Sequence, residues 1–284
     1  MNAAETLPAL NHLDLPDQRI AYRDRPGTDP DALPLLLLHG GAVDSRMWGP
    51  QLGAFPERRM LAPEARGHGG SSDADAPYRL VDDVVALLDA LEIAQVVAVG
   101  ISMGGSTAGD LALEHPQRVA GILVGGTGTS EIEFTDPWAV KAFADWKDAE
   151  SGSSTQAWID VLQRFTAGPH RTLDQVDPAL RDLVQEMARS TLDQHLRLDE
   201  QGVPVPPHPP TPVTRTWERV GGLRIPVLAL GGELDGDDHR RNGRRLAEAT
   251  PRGRYVELPG VAHYPNIEDP VAFNAAVREL LGAL

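Results

Sequence analysis

An apolar run that leads directly into a serine between two glycines is the feature that most constrains this fold. Residues 96–99 read Val-Val-Ala-Val, typical of a buried strand, and a helical pattern runs from about residue 105 to 114. The residues between them, 100–104, read Gly-Ile-Ser-Met-Gly. A strand-to-helix turn this tight strains its serine and leaves no room for side chains at the two glycine positions, 100 and 104. We therefore expect the Ser102 hydroxyl to stand clear at the C-terminal edge of a sheet, with the Met103 N–H at the positive end of the helix.

Strand and helix patterns alternate along most of the chain. This alternation favours an α/β fold with a mostly parallel, twisted sheet and helices on both faces. Apolar runs predict six strands up to residue 124 and two further strands, at 226–230 and 253–258. The last residues, 269–284, have the spacing of a closing amphipathic helix.

One long stretch, residues 130–222, interrupts this alternation. It contains three helical patterns and a segment, residues 203–213, whose six prolines are expected to exclude regular helix or sheet. We interpret the stretch as a helical cap inserted after the sixth strand. The predicted core then consists of two parts, residues 1–129 and 223–284.

Charge and composition argue against several classes of function. The 284 residues carry a formal net charge of −15 and include no cysteine. The charge disfavours a nucleic-acid surface and docking on an anionic membrane. The lack of cysteine excludes disulfides, thiolate catalysis and cysteine-ligated zinc. The first ten residues do not resemble a signal peptide, and the longest apolar run, near 35–38, is too short to cross a bilayer. We expect a cytoplasmic protein without nucleic-acid or membrane partners.

Five motifs give the chain a likeness to a known superfamily. They are LLLLHGG at 35–41, ARGHGGS at 65–71, GISMGG at 100–105, GGELD at 231–235 and GVAHYPNIEDP at 260–270. With these motifs the chain resembles the α/β-hydrolase superfamily, in particular its cap-bearing branch of esterases, lactonases and haloperoxidases. The resemblance covers residues 33–128 and 224–284 in order, whereas the cap matches only in position and helical character.

The resemblance implies a catalytic triad in the order nucleophile, acid, histidine. Ser102, Asp235 and His263 occur in that order, each in a loop after a predicted strand. Such loops converge at the carboxyl edge of a parallel sheet, so we expect the three side chains to meet there. The oxyanion hole is expected from the backbone N–H groups of Met103 and Gly41, with Ala42 as an alternative to Gly41. No cofactor and no metal are expected, and the substrate is expected to be a small-molecule ester or lactone; the oligomeric state stays open.

Other polar residues near the motifs have simpler interpretations. His39 and His68 are expected to hydrogen-bond loop backbone, as such histidines do in this superfamily. Glu64 is expected to contact Arg66. The carboxylates at 237 and 238, which with His239 have the look of a metal site, are interpreted as solvated loop charges.

Aromatic residues concentrate in the first third of the predicted cap. They are Phe134, Trp138, Phe143, Trp146, Trp158 and Phe165. Two interpretations stay open: the rings pack the cap onto the core, or several of them line an apolar substrate pocket above Ser102. The candidate pocket residues are Ala42, Trp138, Phe143, Trp158 and Tyr264.

The sequence leaves several activities open on the same scaffold. We expect a serine hydrolase that cleaves a carboxylic ester or lactone through an acyl-serine. The alternatives are a hydrolase of carbon–carbon bonds, an enzyme like the proline iminopeptidases and a cofactor-free haloperoxidase. A different class is a ligand-binding receptor or non-hydrolytic cyclase with a vestigial triad. Epoxide hydrolases and haloalkane dehalogenases need a carboxylate nucleophile, so Ser102 argues against both.

Overall fold

A computed structural model describes residues 7–151, 154–205 and 207–284 of the chain, with the side chain of residue 151 excepted. Residues 1–6 of the N-terminal stretch and Pro206 of the proline-rich segment, both considered above, lie outside the described residues. The strands are β1 (Leu10–Leu15), β2 (Gln18–Arg25), β3 (Leu35–Leu38), β4 (Met60–Pro63), β5 (Val96–Ile101), β6 (Val119–Gly125), β7 (Arg197–Leu198), β8 (Pro204–Val205), β9 (Val227–Gly232) and β10 (Gly253–Leu258).

Outside residues 130–222, helices separate the successive strands from β3 onward, as the sequence pattern predicts. The helices are α1 (Gly49–Leu52), α2 (Leu80–Ala90), α3 (Met103–Glu114), α4 (Pro137–Ser151), α5 (Thr155–Ala167), α6 (Pro178–His195), α7 (Thr216–Arg219), α8 (Asp237–Ala249), α9 (Pro265–Glu268) and α10 (Pro270–Gly282). Aspartates cap two of the long helices: Asp177 accepts the N–H of Ala179 at the start of α6, and Asp269 accepts the N–H of Ala272 at the start of α10. In the described part of the chain, no helix is long and apolar enough to span a lipid bilayer.

Within the described residues, eight strands form one sheet in the order β1-β2-β4-β3-β5-β6-β9-β10. The first two pairs, β1 with β2 and β2 with β4, are antiparallel. All other neighbours in this sheet are parallel. The carboxyl ends of six parallel strands therefore lie at one edge, and the loops that follow them can share a site.

Alternate residues of the strands pack into two hydrophobic cores, one on each face of the sheet. Leu35 and Leu37 of β3 pack in one core with Phe273 of α10. Leu36 and Leu38 pack in the other core with Leu111 of α3. A strand buried on both faces has a continuous apolar sequence, which explains the four leucines of β3.

A helical insertion follows β6, as predicted, and α5 and α6 share a core with one face of the sheet. One expectation for this stretch is wrong. Pro204 and Val205 form β8, which pairs antiparallel with β7, although the prolines were expected to exclude strand. A two-residue edge strand can tolerate proline because it needs few N–H donors. The division of the chain at residues 129/130 and 222/223 stays a prediction.

Candidate active site

Ser102 lies in the strained turn between β5 and α3. Its backbone has φ 54° and ψ −119°, an uncommon conformation for any residue but glycine. The two glycines of the motif are sterically required: a Cβ on Gly100 would lie 2.1 Å from the carbonyl oxygen of Gly104, and one on Gly104 would lie 2.0 Å from that of Leu38. The close packing of β5, α3 and the end of β3 thus forces the backbone geometry that the sequence motif predicts.

Asp235 and His263 form a buried pair in the loops after β9 and β10. His263 Nδ1 lies 2.9 Å from Asp235 Oδ2, and the two side chains are only 4% and 1% exposed. Burial by itself raises the pKa of the Asp235 carboxyl, but the charges and hydrogen bonds of His263 and His239 overcome this effect and hold the pKa far below its usual range. An ionised carboxylate accepts the Nδ1 proton of His263, which leaves Nε2 as the proton acceptor of the ring.

Ser102 and His263 border the same turn. The Ser102 N–H donates to the carbonyl oxygen of Gly125 at 2.8 Å. At the next residue, Gly126, a Cβ would lie 2.8 Å from Cε1 of His263. Within the described residues, however, Ser102 Oγ makes no hydrogen bond to His263. The structure thus brings Asp235 and His263 into direct contact and Ser102 into their neighbourhood.

The loop after β3 offers one unpaired amide and one that is occupied. The N–H of Ala42 donates to His68 Nε2 at 3.0 Å, so Ala42 cannot donate to an oxyanion at the same time. Gly41, by contrast, has an N–H without an acceptor among the described residues, and the same holds for Met103 at the start of α3. Of the two alternatives left open by the sequence, this geometry favours Gly41.

His39 and His68 hold loop backbone, as expected. His39 Nδ1 donates to the carbonyl oxygen of Gly40 at 2.7 Å, and its Nε2 accepts the N–H of Ala65 at 2.9 Å. His68 Nδ1 donates to the carbonyl oxygen of Arg66 at 3.0 Å, opposite the Ala42 contact at Nε2. Each ring therefore needs to be neutral. Burial lowers the pKa of His39, and burial and the neighbouring His39 lower the pKa of His68 to about 3.

The predicted contact between Glu64 and Arg66 is wrong. Glu64 accepts hydrogen bonds from Ser45 Oγ at 2.5 Å and from the N–H of Gly70 at 2.6 Å. Arg66 instead forms ion pairs with Asp83 and Asp17, both at 2.9 Å. Sequence proximity misled the prediction because the fold brings other partners to each side chain: Ser45 and Gly70 to Glu64, and Asp83 and Asp17 to Arg66.

The interpretation of residues 237 and 238 as solvated loop charges is also wrong in part. Both lie in the first turn of α8, and only Asp237 is exposed. Asp238 is fully buried, accepts the N–H groups of Thr135 and Asp136, and pairs with Arg241. It therefore ties α8 to the segment before α4.

His239 is a buried residue whose position sequence reasoning missed. Its Nδ1 lies 3.1 Å from Asp235 Oδ1, the carboxylate oxygen that His263 Nδ1 does not contact, and the two imidazole rings lie with centroids 4.5 Å apart. Among the described residues, Asp235, His239 and His263 offer ligand atoms within 4.8 Å of one another. Because both carboxylate oxygens already contact imidazole nitrogens, the arrangement favours a hydrogen-bonded network over a metal site. The spacing of four residues, one helical turn, was the available signal.

A cavity of about 260 Å³ lies between these loops and the helical insertion. Gly41, Ala42 and Met103 line it from the core side. Trp158 lines it from α5. Of the five predicted pocket residues, Ala42 and Trp158 line this cavity.

The other three predicted pocket residues, Trp138, Phe143 and Tyr264, do not line this cavity. Trp138 packs edge-to-face on Phe165, Phe143 contacts Phe134, and Tyr264 is buried beside His263. Residues that sequence reasoning did not select occupy the wall instead: Trp146 and Glu150 of α4 and His195 of α6. Packing of the insertion, which the aromatic pattern cannot show, decides which rings face the cavity.

Comparison with known proteins agrees with this architecture. Residues 35–276 match the model of the alpha/beta hydrolase family. The chain is 28% identical over 239 residues to 3-oxoadipate enol-lactonase 2 of Acinetobacter baylyi, covering 83% of each chain. It is 31% identical over 262 residues to a pimeloyl-[acyl-carrier protein] methyl ester esterase of Edwardsiella ictaluri, covering 86% of this chain and 92% of the relative.

A solved structure shows the same fold. The enol-lactonase of Burkholderia xenovorans superimposes with a TM-score of 0.75 at 24% identity, covering 96% of this chain and all of that one. The expected fold class is thereby confirmed, and the family model matches well over half of the chain. The protein therefore belongs to the alpha/beta hydrolase family and is identified as a hydrolase.

Proposed function

We propose that this protein is a serine hydrolase that cleaves a carboxylic ester or lactone through an acyl-serine intermediate. The observation that carries the proposal is the buried contact between Asp235 and His263 beside the strained Ser102. In this mechanism Ser102 is the nucleophile, His263 the general base and acid, and Asp235 the group that orients His263. Gly41 and Met103 supply the oxyanion donors.

The reaction follows from these roles. Ser102 Oγ attacks the carbonyl carbon and passes its proton to His263 Nε2. The two free N–H groups stabilise the negative oxygen of the tetrahedral intermediate. The bond to the leaving oxygen then breaks, and His263 returns the proton to that oxygen. A water molecule repeats the sequence on the acyl-serine and releases the acid.

Proton transfer requires Ser102 Oγ to come within hydrogen-bond distance of Nε2 of His263. Such contacts often form only in the complex with substrate. Rotation of a serine side chain costs little compared with movement of backbone. The buried Asp235–His263 pair, which is already formed, supplies the rigid part of the arrangement.

Two named relatives support an ester or lactone as substrate. One is called an enol-lactonase and the other a methyl ester esterase. Both reactions pass through a tetrahedral intermediate at a carbonyl carbon, which suits the two free amides beside Ser102.

The cavity wall favours an uncharged substrate. Trp146 and Trp158 supply apolar surface, and their rings contact each other with centroids 5.3 Å apart. The wall carries one carboxylate, Glu150, and among the described residues that line it there is neither lysine nor arginine. His195 is engaged by Asp73 and by the carbonyl oxygen of Gly69. Both ring nitrogens of His195 are thus taken, and a substrate carboxylate would lose its hydration without gaining a free cationic donor.

The test is covalent labelling with a fluorophosphonate, followed by mapping of the labelled residue. We expect the label on Ser102 and none on Ser102→Ala. The matched control is Ser190→Ala, which removes a surface hydroxyl bonded to Gln194 and should label like the parent. A folded parent protein that resists labelling would instead favour a receptor or a cyclase with a vestigial triad.

A further inference from the structure

Asp235 is held between two histidines, one on each carboxylate oxygen. His263 Nδ1 lies 2.9 Å from Oδ2, and His239 Nδ1 lies 3.1 Å from Oδ1. The N–H of Gly236 also donates to Oδ1, at 2.7 Å. An aspartate side chain can otherwise turn about its last torsion with little resistance. Donors on both oxygens fix the plane of the carboxylate.

The backbone brings His239 to this position by one helical turn. Asp235 ends the loop after β9, and His239 lies in the first turn of α8, four residues later. Gly236 between them allows the approach, because a Cβ there would lie 3.1 Å from Nδ1 of His239 and 2.7 Å from the Trp138 ring. The contact between His239 and Asp235 therefore depends on the glycine at position 236.

The surroundings of His239 keep water away from the contact. The side chain is 2% exposed. Its ring centroid lies within 6.3 Å of several aromatic rings, those of Phe134, Trp138, Phe143, Phe165 and His263. A hydrogen bond to an ionised carboxylate in such a dry environment is stronger than the same bond in water.

We infer that His239 is a positioning residue, which fixes the plane of the Asp235 carboxylate and shares its charge with His263. The inference rests on the proposed function only for its kinetic consequence. Without the second donor, Asp235 turns more freely, and its undivided charge holds a proton on His263 more tightly. The first effect slows the step in which His263 accepts the proton of Ser102, and the second raises the pH above which the His263 ring is free to accept it.

Other ionisable groups near this network have partners of their own. Asp238, on the same helix, is held by Thr135, Asp136 and Arg241. Glu268 pairs with Arg171 and accepts the N–H of Ala262. Tyr264 is buried next to His263, and burial and the charge of Asp235 raise its pKa, so it stays neutral in the working pH range. The two histidines are therefore the groups that act directly on Asp235.

The decisive variants are His239→Phe and His239→Asn. Phenylalanine keeps a ring in the aromatic cluster and removes the donor. Asparagine places an amide N–H near the position of Nδ1 and restores it. Phe134→Leu is the matched control, because the Phe134 ring contacts the His239 ring edge-to-face, with centroids 5.4 Å apart, and has no hydrogen-bond donor for Asp235.

The first measurement is independent of activity. In protein labelled with ¹⁵N-histidine, we expect a hydrogen-bonded Nδ1 proton resonance from each of the two histidines. In His239→Phe one resonance disappears, and that of His263 shifts because Asp235 has lost its second donor. In Phe134→Leu both remain. A His263 resonance that is unchanged in His239→Phe would overturn the inference.

The second measurement is the pH profile of kcat/KM with p-nitrophenyl butyrate. We expect His239→Phe to lose about tenfold or more in kcat with little change in KM, and its acid limb to move to higher pH. His239→Asn should recover most of the lost kcat and return the acid limb most of the way to its position in the parent. A packing role alone would lower the melting temperature and leave the acid limb in place. Failure of fluorophosphonate labelling would refute the proposed function, whereas the resonance of His263 would still decide the role of His239.

Discussion

The N–H of Ala42 donates to Nε2 of His68 at 3.0 Å, and this bond joins the loop after β3 to the loop after β4. Ala42 itself has φ 63°, a conformation that costs energy for a residue with a side chain. The bond holds the loop so that Gly41 keeps a free N–H beside Met103. A histidine with no direct part in the proposed chemistry thus decides which amide is available to a substrate.

Replacing Gly41 with proline tests this assignment. Proline removes the N–H, and within the described residues that N–H has no acceptor to lose. We expect kcat to fall about 100- to 1000-fold, the usual cost of losing one oxyanion donor. Gly41→Ala keeps the N–H, and nothing lies within 4 Å of a Cβ at this position. Equal rates for the two variants would remove Gly41 from the oxyanion hole.

Acid should destabilise the protein through His68. Burial and the neighbouring His39 lower the pKa of His68 to about 3, from an ordinary value of 6.5. Between these two values the unfolded chain binds a proton that the folded chain does not. The free energy of unfolding therefore falls as the pH drops from 6.5 toward 3, with up to about 1.4 kcal/mol lost per pH unit.

Urea unfolding at a series of pH values measures this slope. In His68→Leu we expect a shallower slope and, at pH 8, a loss of about 1–3 kcal/mol because the N–H of Ala42 is left unsatisfied. His12→Asn, a change of an exposed histidine in β1, is the control and should reproduce the parent slope. A parent slope retained in His68→Leu would contradict the prediction.

Asp110, a buried carboxyl on α3, should make the protein less stable at neutral pH. Burial raises the pKa of Asp110 to about 6, against 3.8 in the unfolded chain, while the hydrogen bond from Ser130 opposes the rise. The folded state therefore binds the proton more tightly, and stability falls as the pH rises through this interval. Above pH 6 the full cost is present, about 3 kcal/mol as an upper estimate.

Asp110→Asn removes this cost, and its amide oxygen can still accept the N–H of Ser130. We expect the variant to be more stable than the parent at pH 8 and about equal to it near pH 3.5. Melting temperatures at the two pH values test the difference. An advantage of the same size at both values would show that ionisation is not its source.

Glu150 should set the charge preference of the cavity. A carboxylate on the wall repels an anionic substrate, and at this exposure the effect is on the order of 1 kcal/mol. We expect Glu150→Gln to raise kcat/KM for mono-p-nitrophenyl glutarate about three- to tenfold relative to p-nitrophenyl valerate, an uncharged ester of similar length. Asp148→Asn, an exposed change on the same helix, should leave this ratio unchanged. A ratio that is the same in parent and Glu150→Gln would argue against the charge preference.

The part of the fold that could be predicted from the sequence depends on steric contacts between residues that are close together in the chain. The glycines around Ser102 and the four leucines of β3 are short-range features whose backbone and burial follow from a few adjacent residues. They predicted the strand–turn–helix unit and, with the alternating pattern, the mostly parallel sheet. The order of motifs predicted the loops that carry Asp235 and His263, and these two side chains do meet. The role of Ser102 in catalysis stays a prediction for the labelling experiment.

Contacts between distant segments could not be read in the same way. Glu64 lies two residues from Arg66, yet it accepts from Ser45 and Gly70. The aromatic pattern of the insertion is equally compatible with packing and with a pocket, and only its docking on the sheet sends Trp158 to the cavity and Trp138 to Phe165.

Sequence by itself therefore determined the elements of this protein and the edge of the sheet where its candidate site lies, because strand burial and tight turns depend on neighbouring residues. Tertiary structure alone decided the partners of the buried polar groups: His68 for Ala42, and His239 for Asp235. A buried charge or amide must pair with whatever group the fold brings within about 3 Å, and that distance depends on the packing of all the surrounding elements.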